Sequence, residues 1–188
     1  GVVSINMKCN DCPNLGDLPT ILELSKLHGL ATGLVTTTMI THATPAAFAA
    51  HDDYREHYAD IAADYLRDSS PTVLMGGGSI GMDPASVQAA GYDLIEHKQQ
   101  LQQFVAQPGV HVAALFGPEH FPYVYTDKSM AFPSLADMVD RTIEILLQDP
   151  DGYFLMVEGG RIDHAGHNQL AKEMIVEVVE FANAVQRA

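Results

Sequence analysis

The chain alternates between short apolar, β-branched runs and longer stretches in which apolar residues return every three or four positions. Runs of the first kind read as strands and stretches of the second kind as helices. Residues 1–6 make the first such run. Asp17 and Pro19 then predict a helix over residues 18–28, with Asp17 as cap, Pro19 in the first turn and Gly29 as the stop. Ile21, Leu24 and Leu27 form its expected core face. Residues 30–39, rich in Val and Thr, predict a second strand. A helix comes after it and is expected to run as far as Arg67. Residues 72–75 predict a third strand that ends in Gly76-Gly77-Gly78. A small helix, a short strand over 92–95 and a Gln-rich helix from His97 come next, then a strand over 111–116. Ser134 caps an expected helix over 135–148, with Leu135, Met138, Val139, Thr142, Ile143 and Leu146 as its buried stripe. After the turn Asp149-Pro150-Asp151-Gly152, residues 153–157 read as a buried strand. A long helix over 168–187 closes the chain, with Ile175, Val178, Val179 and Ala182 as its apolar face.

Strand and helix alternate five or six times. That pattern predicts an α/β fold of three layers, α/β/α, with a mostly parallel central sheet. At 188 residues the expectation is one domain over residues 1–188 with a substantial core. Ligands of such folds bind at the carboxyl ends of the strands, so the residues just past each strand matter most.

Composition narrows the function. Apolar residues make up 47% of the chain, and 10 basic residues face 24 acidic ones, a net charge of −14. This balance argues against nucleic acid or an anionic membrane surface as the main partner. No run approaches the roughly 18 apolar residues of a membrane span, and no basic start precedes an apolar stretch as in a signal peptide. The two cysteines, Cys9 and Cys12, form one C-x-x-C. A four-cysteine zinc site would need a second pair, and the surrounding stretch reads as a loop, so two free thiols or a small disulfide loop are expected.

The densest chemistry comes directly after the last strand. Glu158-Gly159-Gly160-Arg161-Ile162-Asp163-His164-Ala165-Gly166-His167 holds two carboxylates and two imidazoles in ten residues. Such donors suit a divalent cation. Asp163 and His167 are four apart, so a helical turn would put them on one face. The competing reading is a polar loop of solvated charges. A second segment, Thr41-His42-Ala43-Thr44-Pro45-Ala46-Ala47, lies just past the strand over 30–39. There, Thr44 as N-cap with Pro45 as the first helical residue is a sufficient structural reading. The triple glycine lacks the Lys and Ser/Thr of a phosphate-binding loop, which counts against a phosphate-cradling reading.

Taken together, E-G-G-R-I-D-H-x-x-H and T-T-T-x-x-x-H-A-T-P-A-A resemble the alkaline phosphatase family, over nearly the whole chain. The resemblance implies an alkaline phosphatase-like fold and metal-dependent hydrolysis of phosphate monoesters through a phosphoserine intermediate, with Zn2+ and Mg2+ as cofactors. It implies Thr44 and Glu158 as magnesium ligands, with His42 a water-mediated neighbour. It implies Asp163 and His167 as ligands of one zinc, Arg55 as the residue that grips two phosphate oxygens, and His164 close to the phosphate. It implies a structural turn at the triple glycine. Gly117 and Phe132 stand where some members carry acidic calcium ligands, so no calcium site is expected. The nucleophilic serine segment is expected before Gly1, and the remaining zinc ligands after Ala188. The 188 residues would then hold about half a catalytic site. The alternative is an inactive truncated or split metal-binding module. Small phosphomonoesters and inorganic phosphate are the implied ligands. A homodimer and a periplasmic or extracellular location are common in the family.

Overall fold

The structure, a computed structural model, describes residues 18–78, 80–126 and 131–188. The strand expected over residues 1–6, the cap expected at Asp17, and Cys9 and Cys12 lie outside the described residues.

Among the described residues five strands form one parallel sheet: β1 (Ala31–Met39), β2 (Val73–Gly77), β3 (Tyr92–Ile95), β4 (His111–Phe116) and β5 (Tyr153–Glu158), in the order β3-β4-β2-β1-β5. Successive strand residues point to opposite faces, and the cores obey that alternation. Leu34, Leu74 and Ala113 pack on one face, with α1 (Ile21–Leu27), α2 (Ala43–Ala49), α3 (Tyr58–Asp64) and α4 (Pro84–Ala89). Val35, Val73, Met75, Val112 and Ala114 pack on the other, with α5 (Lys98–Gln103), α6 (Leu135–Leu146) and α8 (Ala171–Arg187). The sheet is thus the middle of three layers, as the alternation predicts.

Caps define the helix starts. Thr20 caps α1, accepting from the Glu23 amide at 3.1 Å while Glu23 accepts the Thr20 amide at 2.7 Å. This reciprocal box satisfies two amide donors that the first turn leaves free, and it places the cap three residues later than expected. Ser134 caps α6 as predicted, with Asp137 returning the bond. The expected helix to Arg67 does not run through. Ala50 is extended, His51 donates its amide to Asp64 Oδ2 at 2.8 Å, and α3 begins only at Tyr58 before a π-helical turn, Tyr65–Ser69.

Three expected core faces are corrected. On α1, Ile21 and Leu27 are 51% and 80% exposed, and Leu22 is the buried residue. Among the described residues β5 is the last strand of the sheet and only partly buried. On α8, Ile175, Val178 and Val179 face outward, and the buried residues are Glu177 and Ala184. The polar face turns inward because it serves as an acceptor. Glu177 Oε1 takes the Val124 amide at 2.8 Å and Glu180 Oε1 takes the Leu135 amide at 2.7 Å. No helix among the described residues is long and apolar enough to cross a membrane.

Candidate functional site

In a parallel sheet every strand ends on the same side, so the loops after β1, β4 and β5 can converge. β1 leads to His42, β4 to His120 and β5 to Glu158 and α7 (Arg161–His167). The register pairs Thr36 with Glu158. Thr36 donates its hydroxyl to Glu158 Oε2 at 2.7 Å, and the Thr38 hydroxyl lies 3.5 Å from the same oxygen. A Cβ on Gly160 would overlap the Thr38 methyl, so only glycine lets the chain turn this closely over β1. The Arg161 amide donates to Thr37 Oγ1 at 3.3 Å and fixes the start of α7.

Three imidazoles meet above these strand ends. The ring centroids are 5.2 Å apart for His42 and His120, 5.3 Å for His42 and His164, and 4.5 Å for His120 and His164. One ring nitrogen of each lies within 4.8 Å of the others. Two guanidinium groups flank them. Arg55 approaches His42 Nε2 at 3.3 Å. Arg161 donates to His164 Nδ1 at 2.7 Å and lies 3.9 Å over the Tyr123 ring centroid, a cation–π contact.

Burial and neighbouring positive charge both disfavour the imidazolium. Burial is the first cause at all three rings. It lowers His42, with Arg55 next, and lowers His164, with Arg161 next. His120 is pulled to about 4 by burial, then by His164, His42 and Arg161. An unfolded histidine titrates near 6.5. Between these values the unfolded chain binds more protons than the folded one, so His120 contributes stability above about pH 6.5 that is lost as pH falls toward 4. The metal-free chain is therefore expected to lose more stability between pH 7 and pH 5 than its His120→Asn variant. Urea midpoints at the two pH values measure this, and equal losses would contradict it.

The expected residues separate into two groups. His42, Arg55, Glu158 and His164 lie around the strand ends. Asp163 and His167 share the outer face of α7, with His167 Nε2 3.4 Å from Asp163 Oδ1 and both side chains about three-quarters exposed. The spacing of four does place them on one helical face. The cap of α2 is corrected: His42 is the N-cap residue, and Thr44 sits exposed one residue into the first turn, with Pro45 third. Arg55 lies in the turn between α2 and α3 rather than on a helix. His120 belongs to neither sequence motif. Its one signal is position, a histidine just past a predicted strand at the same sheet end as the other two.

The family model for alkaline phosphatase matches residues 3–88 and 82–188. Alkaline phosphatase 3 of Bacillus subtilis is 36% identical over 180 residues, covering 90% of this chain and 38% of that protein. The cold-active alkaline phosphatase of a psychrophilic Shewanella superposes with a TM-score of 0.86 at 34% identity, covering all of this chain and 45% of that one. A point mutant of the alkaline phosphatase from the Antarctic bacterium TAB5, solved with magnesium bound, superposes with a TM-score of 0.73 at 25% identity, covering 89% of this chain and 49% of that one. The chain therefore spans less than half the length of these relatives. Motifs, superposition and matches along nearly its whole length agree: the chain belongs to the alkaline phosphatase family.

Proposed function

We propose that residues 1–188 are one α/β domain, part of the catalytic domain of a metal-dependent phosphomonoesterase that works through a phosphoserine intermediate. The observation that carries this reading is the convergence of Glu158, His42, His164 and Arg55 at the carboxyl ends of β1 and β5. Family membership implies metal cofactors, and the donor set suits them. Glu158 offers a carboxylate aligned by two threonine hydroxyls, with Thr44 on the neighbouring turn as the second magnesium ligand. Asp163 and His167 offer a carboxylate and an imidazole on one helical face, a pair that suits zinc. When bound, the metals supply Lewis-acid stabilisation of charge on the phosphoryl group.

The chain's own groups do the rest. Arg55 presents a planar two-pronged donor that matches two phosphoryl oxygens, and it reaches them by leaving His42 and the Glu56 carboxylate 4.0 Å away. His164 is aligned by Arg161, so its other nitrogen carries the proton and can donate to a phosphoryl oxygen. His42 orders water beside magnesium. The nucleophilic serine and the other zinc ligands come from segments that flank residues 1–188. The net charge of −14 is offset locally by the metals and by Arg55 and Arg161.

The test compares these 188 residues alone with a version carrying the flanking segments. Alone, the chain is expected to bind zinc weakly and to hydrolyse p-nitrophenyl phosphate slowly or not at all. With the flanking segments, zinc- and magnesium-dependent turnover and a trapped phosphoserine are expected. Full turnover by the 188 residues would refute the half-site assignment. No turnover by the longer protein would favour the metal-binding module instead.

A further inference from the structure

The spacing of His42, His120 and His164 suits a cation, but their hydrogen bonds do not. A guanidinium and a backbone amide can only donate. Arg55 meets His42 at Nε2, Arg161 meets His164 at Nδ1, and the Met39 amide meets His120 at Nδ1, 3.0 Å away. Each of those ring nitrogens must therefore accept, and its lone pair is committed. The proton of each ring then sits on the other nitrogen: Nδ1 of His42, Nε2 of His120 and Nε2 of His164. His42 Nδ1 is buried and has no partner among the described residues. The Nε2–H groups of His120 and His164 and the guanidinium groups of Arg55 and Arg161 are all donors, which suit an anion better than a cation.

We propose that His120 is a further phosphate-binding residue, whose Nε2–H donates to a phosphoryl oxygen held between the loops after β1, β4 and β5. The proposal rests on the phosphomonoesterase reading for the identity of the anion and adds a residue that neither sequence motif contains. Met39 is the positioning group. As the last residue of β1 it holds the His120 ring in one tautomer through a main-chain donor that no side-chain change removes. The Phe121 amide, bonded to the Thr37 carbonyl at 3.0 Å, fixes the next residue of the same loop against β1.

The rival account makes His120 a structural clamp that only ties the loop after β4 to Met39. Two substitutions separate the accounts, because each keeps one half of the imidazole. His120→Asn keeps an acceptor near Nδ1 for the Met39 amide and loses the donor at Nε2. His120→Gln keeps a donor near Nε2 and loses the acceptor. Inorganic phosphate is titrated into the 188-residue chain and monitored by 31P NMR, with the metals first absent and then present. A hydrogen bond to a charged oxygen is strong enough that its loss weakens binding about tenfold or more. His120→Asn is expected to show that loss, and His120→Gln to stay within about threefold of the wild type. The reverse order, or equal losses, would overturn the proposal. Nitrogen NMR of the ring should report the Nε2–H tautomer, and a Nδ1–H tautomer would also overturn it. So would a cobalt absorption band that depends on His120, because it would show the trio to be a cation site. Absence of phosphate binding by the wild type would overturn it as well. Arg55→Ala in the same titration reads the wider functional assignment. If it leaves binding unchanged while His120→Asn weakens it, the role of Arg55 fails and that of His120 stands.

Discussion

Gly77→Ala is expected to lower the melting temperature by roughly 6–12 °C, from a cost of about 3 kcal/mol in a chain of this size. Gly77 is the last residue of β2, where the loop after β4 crosses the strand end. A Cβ there would overlap the carbonyl oxygen of Glu119 and lie 3.1 Å from that of Thr38. Both obstacles are backbone, so no rotamer change relieves them. The Ile40 amide donates to the Gly77 carbonyl at 2.9 Å, which holds the strand end in place and prevents it from backing away. Native stability is only about 5–15 kcal/mol, so this one methyl removes a large share. Gly166→Ala is the control. It lies in α7, and a Cβ there meets only the Met174 sulfur at 3.9 Å. In a helix Ala is favoured over Gly by up to about 1 kcal/mol, so the metal-free control should melt at the same temperature or slightly higher. Thermal denaturation of both variants decides the matter, and a Gly77→Ala protein as stable as the wild type would show that the loop after β4 can lift. Because Glu119 precedes His120, the damage should reach the site as well.

The triple glycine, expected as a turn, instead supplies the last two residues of β2, Gly76 and Gly77, and the fold is legible in some places and not in others. β3 lies between Gly91 and Glu96 and β4 follows the Pro108-Gly109 turn and stops at Gly117, and their limits match the expectation residue for residue. α6 is equally plain, because Ser134 and Asp137 announce its start. Faces are harder. Spacing shows which side of a helix is apolar, not what covers it. On α8 the apolar side holds Ile175, Val178 and Val179, yet Glu177 is the residue inside. A carboxylate goes inside when a backbone amide waits for it, and nothing local in the sequence announces the Val124 amide. The run in β5 likewise looks buried, yet among the described residues it is the last strand of the sheet and only partly covered.

The site divides in the same way. Both motif segments do come directly after strands and meet, as topology requires. The break after Ala49 is hidden in the sequence because α2 and α3 each carry good helix formers, and a tertiary bond from His51 to Asp64 shapes the chain between them. His120 is hidden because a lone histidine carries no spacing. Only the loop's crossing over β2 brings it beside His42 and His164.

Glu158→Gln is expected to leave the fold intact and lower the affinity of the proposed magnesium site by about a hundredfold or more. Ligand-orienting neighbours alone are worth about 10–100-fold, so a proposed ligand such as Glu158 belongs at or above the upper end. Gln has the shape of Glu, and its amide oxygen can still accept from Thr36 and Thr38. The melting temperature of the metal-free chain should therefore move by only a few degrees. What is lost is the negative charge and one acceptor oxygen, the two properties a hard cation requires. The loss also removes one of the two carboxylates that favour the imidazolium of His42 and His164, the other being Asp163, so their neutral form is favoured still more. Manganese titration monitored by electron paramagnetic resonance gives the affinity directly, with Mn2+ standing in for Mg2+. Asp163→Asn supplies the comparison. Asp163 lies on the outer face of α7, paired with His167, so this change should weaken zinc and spare manganese. If Glu158→Gln binds manganese as tightly as the wild type, the hydroxyl-aligned carboxylate at the end of β5 is a structural strut, and the magnesium ligand must be sought elsewhere.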